Sequence, residues 1–329
     1  MVKDFTKFYY RKLSDDKKKV YMKLYEAITA QRSEIRISKL FPEITTDEMF
    51  EIMSNLYYDA PWLYYWDRTK LIYTETLTER IFRLHYHYNY QAIKKLNAQL
   101  EQQINEFQAK YITSDMSNYQ KEQAIHDYLV STVRYAHDDM EAKDNHNILG
   151  PFLHKKAVCS GISQAFKMLC DICKIRCMIV FGDTVPKQEV GHAWNIVRLD
   201  GENFHVDVTW DIKEKGDITF CYDYFNVADG LVALGHDWDR NLYPGCSSRK
   251  YNYYYVNNLY VKTADELSRY IADKLKKKEK YIPVKFASKM LPKAEIERAI
   301  EKGFSMALTY TKYYIYISER THNIYIELV

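Results

Sequence analysis

The sequence predicts an α+β protein, on two kinds of observation. Helix-start signals precede amphipathic runs: Thr45 with Glu48, Ser117 with Gln120, and Thr263 with Glu266 each set a hydroxyl three residues before a carboxylate or amide. That spacing lets the two side chains satisfy the first-turn N–H groups reciprocally. Between these runs lie β-branched and aromatic stretches broken by turn residues, the strongest of them at Asp200-Gly201.

In chain order, residues 1–112 are expected to form a mainly helical region. Ser14 heads SDDKKKVYMKLYEAI, with acids in the first turn where the helix dipole favours them. Ile93, Leu96, Leu100, Ile104, Phe107 and Tyr111 fall on one helical face. The stretch between these helices, WLYYWDRTKLIYTETLTERIFRLHYHY, reads as strands or a short hairpin. Residues 113–258 carry the candidate chemistry. A helix runs through EQAIHDYLVSTV, followed by the polar connection AHDDMEAKDNHN and a second helix from Cys159 that buries Ile162, Phe166 and Leu169. A strand, CMIVFGD, is expected to end at Gly182 and Asp183. The stretch YNYYYVNNLY reads as core strand, with the alternative of lining a substrate groove. Residues 259–329 read as a small α/β unit. It has a helix through ELSRYIADKL, a strand YIPVKF, a helix AEIERAIEK with Pro292 near its start and Gly303 near its end, and two strands, MALTYTKYYIYISE and HNIYIELV, around Arg320-Thr321.

Composition excludes several function classes. The net charge of +3 is too small to imply nucleic acid or an anionic membrane as partner. No run of about 18 apolar residues occurs, so no membrane span is expected. The start lacks the apolar stretch of a signal peptide. With six cysteines in 329 residues, reduced thiols and a cytoplasmic location are expected. The 31 tyrosines supply apolar area with one polar tip each. Cys170, Cys173 and Cys177 invite a metal reading, but they run from a helix into a strand with no fourth ligand in view. They are assigned to packing, and no metal or cofactor is expected.

The candidate site combines three segments. If Asp200 and Gly201 are the central turn residues, His192 faces Thr209 and Trp194 faces Asp207. His192 and Asp207 are then diagonal neighbours on one face, with backbones roughly 7–8 Å apart. A carboxylate at one imidazole nitrogen would fix the tautomer. His205 shares the Asp207 face and is the rival base. Cys159 would open a helix, where the dipole and unpaired N–H groups favour a thiolate. The same N–H groups can hold an oxyanion, and Gly161 would let a substrate backbone approach.

These motifs, AVCSGISQAF, GHAWNIV and FHVDVTWD, resemble those of the transglutaminase-like superfamily, which shares the papain-like cysteine-peptidase architecture. IHDYLVSTVRYAHDD, YFNVADG and KYNYYYV are similar to segments of bacterial members, so the resemblance covers roughly residues 117–258. It implies a nucleophile helix packed on an antiparallel sheet. It also implies Cys159 as nucleophile, His192 as general base and acid, and Asp207 as its orienter. Ser160, Gly161, Trp194 and Trp210 would support the oxyanion and the triad, and Trp210-Asp211 matches the family's Thr-Trp-Asp ending. Animal transglutaminases place an upstream tryptophan at the oxyanion, and papain-like peptidases a glutamine. Here no tryptophan lies between Trp66 and Trp194, and Leu153 stands six residues before Cys159.

The implied function is cysteine-dependent acyl transfer on peptide or glutamine amide carbonyls through a thioester, with protease or amidase action favoured over cross-linking. The alternative is an inactive transglutaminase-like binding or scaffold protein. Either way the expected partner is a protein or peptide, with the terminal regions as places of recruitment.

Overall fold

The structure is a computed structural model that describes residues 5–187, 191–213, 221–287, 290–309 and 311–329. Helix makes up 44% and strand 21%, the α+β mixture expected. The chain divides into two compact units, Met1–Phe181 with His192–Gly201, and Gly182–Gly191 with Glu202–Val329.

In the first unit, α1 (Phe8–Lys12) has no side-chain cap of its own. Asp59 supplies one from elsewhere, accepting from the N–H groups of Tyr9 (3.1 Å) and Tyr10 (2.9 Å) and from Tyr21 Oη (3.1 Å). α2 (Asp15–Thr29) begins where Ser14 accepts from Lys17 N–H. β1 (Glu34–Ser38) precedes α3 (Thr46–Asp59), whose Thr45–Glu48 capping box forms in both directions. The aromatic stretch contains the hairpin: β2 (Ile72–Glu75) pairs antiparallel with β3 (Glu79–Arg83), which also pairs with β1. Its beginning is instead a turn of 3-10 helix at Pro61–Leu63, opened by the proline.

α4 (Tyr90–Tyr111) buries Ile93, Leu100 and Phe107 on the expected face, with Leu96, Ile104 and Tyr111 half-buried. α5 (Asn118–Thr132) starts on the Ser117–Gln120 capping box. The short parallel pair β4 (Arg134–Tyr135) and β5 (Lys156–Ala157) leads into α6 (Cys159–Ile172). α6 is the centre of this unit, buried from Gly161 through Asp171. Even Lys167 lies inside, because Asp171 one turn later takes its charge at 2.5 Å. β6 (Arg176–Thr184) and β7 (His192–Leu199) are sheet neighbours. Asn195 Nδ2 donates to Ser163 O (3.1 Å) and so ties β7 to α6.

Asp200 (φ +47°) and Gly201 (φ +88°) form the expected turn, both left-handed as a type I′ turn requires. β8 (Glu202–Val206) follows in the second unit, then α7 (Val208–Asp211), α8 (Asp229–Val232) and β9 (His236–Trp238). Gly182 and Asp183 do not end β6. Gly182–Thr184 pairs antiparallel with β9, and that ladder carries the strand past the glycine. YNYYYVNNLY is not a core strand. It folds as α9 (Tyr253–Val256) and a short β10 (Tyr260–Val261). Tyr253 stacks on Tyr222 at 3.7 Å, and Tyr254 bonds Tyr325 Oη inside the unit.

The end of the chain pairs α10 (Ala264–Lys276) and α11 (Lys293–Met306) with a sheet of order β10-β11-β13-β12. Its strands are β11 (Tyr281–Phe286), β12 (Tyr313–Ser318) and β13 (Asn323–Leu328). The strand expected from Met306 begins only at Tyr313, because α11 continues through Met306; Tyr310 lies outside the described residues. Gly303 lies near the end of α11, in its last turn. A Cβ there would sit 2.9 Å from Ile271 Cβ and Ser268 O, so the glycine sets the close approach of α11 to α10.

Candidate active site

Cys159 is the first residue of α6, and the start of α6 differs from those of α2 to α5. α2, α3, α4 and α5 begin on Ser14, Thr45, Asn89 and Ser117, each accepting from a first-turn N–H. α6 begins on Val158, which makes no cap bond. Its first-turn N–H groups therefore receive no acceptor from the N-cap side chain, and the dipole there favours a negative partner. Val158 is itself fixed, its N–H donating to Asn145 O at 3.0 Å.

The Cys159 thiol is half-exposed and unbridged, unlike its buried fellows Cys170, Cys177, Cys221 and Cys246. Burial pushes the thiols of Cys170, Cys221 and Cys246 well up, and that of Cys173 to about 11. Those cysteines are held in the unreactive thiol form.

Gly161 has a role other than the expected one. A Cβ on it would lie 2.3 Å from Asn145 O and 3.0 Å from Asn147 O. The protein's own backbone fills that space, so Gly161 admits segment 145–147 rather than a substrate. Ser160 Oγ lies 3.3 Å from His146 Nδ1, and His146 Nε2 lies 2.7 Å from Met140 O. A carbonyl only accepts, so the proton is assigned to Nε2, and Nδ1 accepts from the Ser160 hydroxyl. Gln164 Nε2 donates to His146 O (2.9 Å) and Tyr57 Oη (3.3 Å), fastening the same loop to α6.

His192 opens β7 and is buried. Its ring is stacked with that of Trp194, 5.7 Å away at 19°, as expected for alternate residues on one strand face.

In the second unit, Asp207 lies beyond the end of β8 and caps α7, its Oδ1 accepting from Trp210 N–H at 3.2 Å. The carboxylate starts a helix at the point where the strand was expected to continue. Its other oxygen, Oδ2, lies 2.8 Å from His236 Nε2, with both side chains fully buried. The His236 ring lies 4.1 Å from that of Trp210, which also meets Tyr224 edge-on at 5.0 Å. Trp210 is thus a wall beside this pair.

His236 and His146 escape sequence reasoning. Neither sits in a recognisable spacing, and His236 is followed along β9 by solvent-facing Asp237. A weak signal precedes His236. Gly235 would place a Cβ 2.6 Å from the Trp210 ring, so the chain there must be glycine.

His205, the rival base, is buried with Nε2 2.8 Å from Asp229 Oδ1. Burial draws His205 below the usual histidine range, against the pull of Asp229. Burial also raises Asp229, but the His205 bond and the Cys246 N–H (3.0 Å) leave it below the ordinary carboxylate range. With Cys246, these groups offer nitrogen, oxygen and sulfur ligand atoms within 4.8 Å of one another. That donor set suits a divalent metal in type, yet the His205–Asp229 hydrogen bond already serves both side chains. Cys170, Cys173 and Cys177 lie in α6, at its C-cap and in β6 respectively.

Residues 105–208 match the transglutaminase-like superfamily, and the matched segment contains Cys159, His192 and Asp207. Among solved structures, the chain is similar to a TGase at 13% identity, covering 56% of this chain and 53% of that one, with a TM-score of 0.32. It is also similar to a protein from Cytophaga hutchinsonii provisionally named a cysteine protease. There the identity is 11%, the coverage 43% of this chain and 61% of that one, and the TM-score 0.29. The chain thus spans less than two thirds of each. No curated protein matches it.

Proposed function

From a chain whose residues 105–208 are transglutaminase-like, we propose a cysteine-dependent acyl-transfer enzyme acting on peptide or glutamine amide carbonyls. In this reading residues 113–258 hold the catalytic core, flanked by regions 1–112 and 259–329. The observation that carries it is the start of α6. A half-exposed thiol occupies the first position of a long helix whose N-cap residue, Val158, makes no side-chain cap bond. Such a start supports a thiolate and can hold an oxyanion on backbone N–H groups.

The steps follow from the residue types. His192 takes the thiol proton, and the Cys159 sulfur adds to the amide carbon. The oxyanion rests on first-turn N–H groups of α6. The C–N bond breaks, the amine leaves with the proton from His192, and a thioester remains. Water, or a second amine, then attacks the thioester carbon as His192 takes its proton, the C–S bond breaks, Cys159 leaves as the thiolate, and hydrolysis is the favoured outcome. Asp207 orients His192. Its own carboxylate is held by His236 and by Trp210 N–H, so it is presented in one rotamer. Ser160, kept in place by His146, and Trp194, stacked on His192, support the two reacting groups.

The test is alkylation followed by trapping. At pH 6, Cys159 reacts with iodoacetamide faster than free cysteine does, and His192→Ala removes the excess. Incubation with a peptide library leaves an acyl adduct on Cys159, identified by mass spectrometry. A Cys159 that reacts no faster than free cysteine and collects no adduct assigns the chain to binding instead.

A further inference from the structure

The second unit contains a cleft of about 340 Å³ that uses neither Cys159, His192 nor Asp207. Arg249, Lys285, Arg320 and His322 line it, Leu231 and Phe286 form apolar wall, and none of its lining residues is acidic. The cations are unusual in how they are held. Arg249 Nη1 donates to Tyr255 Oη (3.3 Å). The Arg320 guanidinium lies 5.4 Å over the Trp210 ring and bonds Tyr224. Lys285, 7% exposed, donates to Thr321 O and to Asn323 Oδ1 (3.1 Å). Each is held by neutral partners, and none of the three forms an ion pair among the described residues.

Asp223, whose field reaches Lys285, is occupied. Its Oδ1 accepts from Asn323 Nδ2 at 2.6 Å and from Tyr325 Oη at 2.5 Å. An interior ammonium without a carboxylate is costly. Burial accordingly draws Lys285 down to about 8, against the pull of Asp223. Asn252 adds a second feature. It is buried in the cleft wall, its Nδ2 donates to Phe225 O, and its Oδ1 has no hydrogen-bond partner.

We propose that this cleft binds a small organic phosphate, a phosphomonoester carried on an apolar or aromatic group. A phosphate dianion answers several cations at once, and its three terminal oxygens can each take a donor, where a carboxylate offers two. The cleft is near the lower end of the roughly 300–1,000 Å³ typical of small-molecule sites. A lone phosphate would leave Leu231 and the exposed Leu234 of the lining uncovered, so the ligand has an apolar body. An N–H or O–H on that body would answer Asn252 Oδ1.

Isothermal titration calorimetry on the full chain tests this, with phenyl phosphate as probe. Saturable binding at one site is expected, at least tenfold tighter than inorganic phosphate, phenylacetate or benzyl alcohol, and weakening with added salt. Arg249→Gln, at an exposed position, should keep the melting temperature and weaken phenyl phosphate at least tenfold. Arg249→Glu should abolish binding. No saturable heat from phenyl phosphate at millimolar concentration overturns the proposal. So does equal affinity for phenylacetate, or an unchanged affinity in both Arg249 variants.

Discussion

Cys159 and Cys170 share one helix, yet position alone separates a half-exposed thiol at its start from one sealed in the core. Motif order marked the first, and the run of Cys170, Cys173 and Cys177 from helix into strand, with no fourth ligand, marked the second as packing. Asp207 was legible as a residue, but its role as a helix cap was not. An aspartate before Val-Thr-Trp reads as strand until its carboxylate is seen accepting Trp210 N–H. Asp207→Asn should lower kcat by about 10²–10⁴-fold with little change in KM, because the orienting charge on His192 goes while the site stays shaped. His236 is the partner that the sequence hides, since it reaches Asp207 from 29 residues away. His236→Leu should cost about 1–3 kcal/mol of stability in urea denaturation, from a buried carboxylate oxygen left without its donor, and should lower kcat as well. His236→Gln, which can still donate, should recover part of both.

The helix starts were the most readable elements, because a cap and its N3 partner are local in sequence. Ser14, Thr45, Ser117 and Thr263 all act as expected. What no window of sequence reveals is a cap supplied from a distance, as Asp59 supplies α1. The same holds for glycines set by a neighbouring element. Gly161→Ala would drive a methyl group into Asn145 O. The expected cost is about 1–3 kcal/mol by urea denaturation, with slower Cys159 alkylation as segment 145–147 is displaced. Asp59 gives α1 a pH dependence. Burial lifts its carboxyl to about 6, against Lys167 and the N–H donors of Tyr10 and Tyr9. An unfolded aspartate titrates near 3.9, so the folded state binds this proton more tightly. The contribution is complete below about pH 4 and is lost as pH rises through about 6, worth about 3 kcal/mol for a shift of roughly two units. Melting temperatures measured from pH 4 to pH 7 should show this fall, and Asp59→Asn should flatten it while lowering the whole curve through its lost acceptor.

For the molecule as a whole, cap, strand and turn signals set residues 259–329 apart in the sequence, and these residues lie within the compact unit of Gly182–Gly191 and Glu202–Val329. A buried polar group within that unit joins residues that no window of sequence connects. Asp223 accepts from Asn323 and Tyr325, and Tyr325 Oη also meets Cys221, Tyr254 and the Tyr222 N–H. These partners stand about 100 positions apart in the chain. Many of the tyrosines that made the composition unusual act in this way, as buried bodies with one bonded tip. Asp223→Ala should destabilise the second unit by about 1–3 kcal/mol, since it leaves the buried donors Asn323 Nδ2 and Tyr325 Oη without their acceptor. Differential scanning calorimetry should show the loss as an earlier transition.

The bare start of α6 also sets a limit on how this protein can be improved. Placing aspartate at an N-cap commonly adds about 1 kcal/mol, so Val158→Asp should raise the melting temperature. The same carboxylate would occupy the N–H groups intended for an oxyanion and repel a neighbouring thiolate. On the proposed mechanism, stability and turnover therefore pull position 158 in opposite directions.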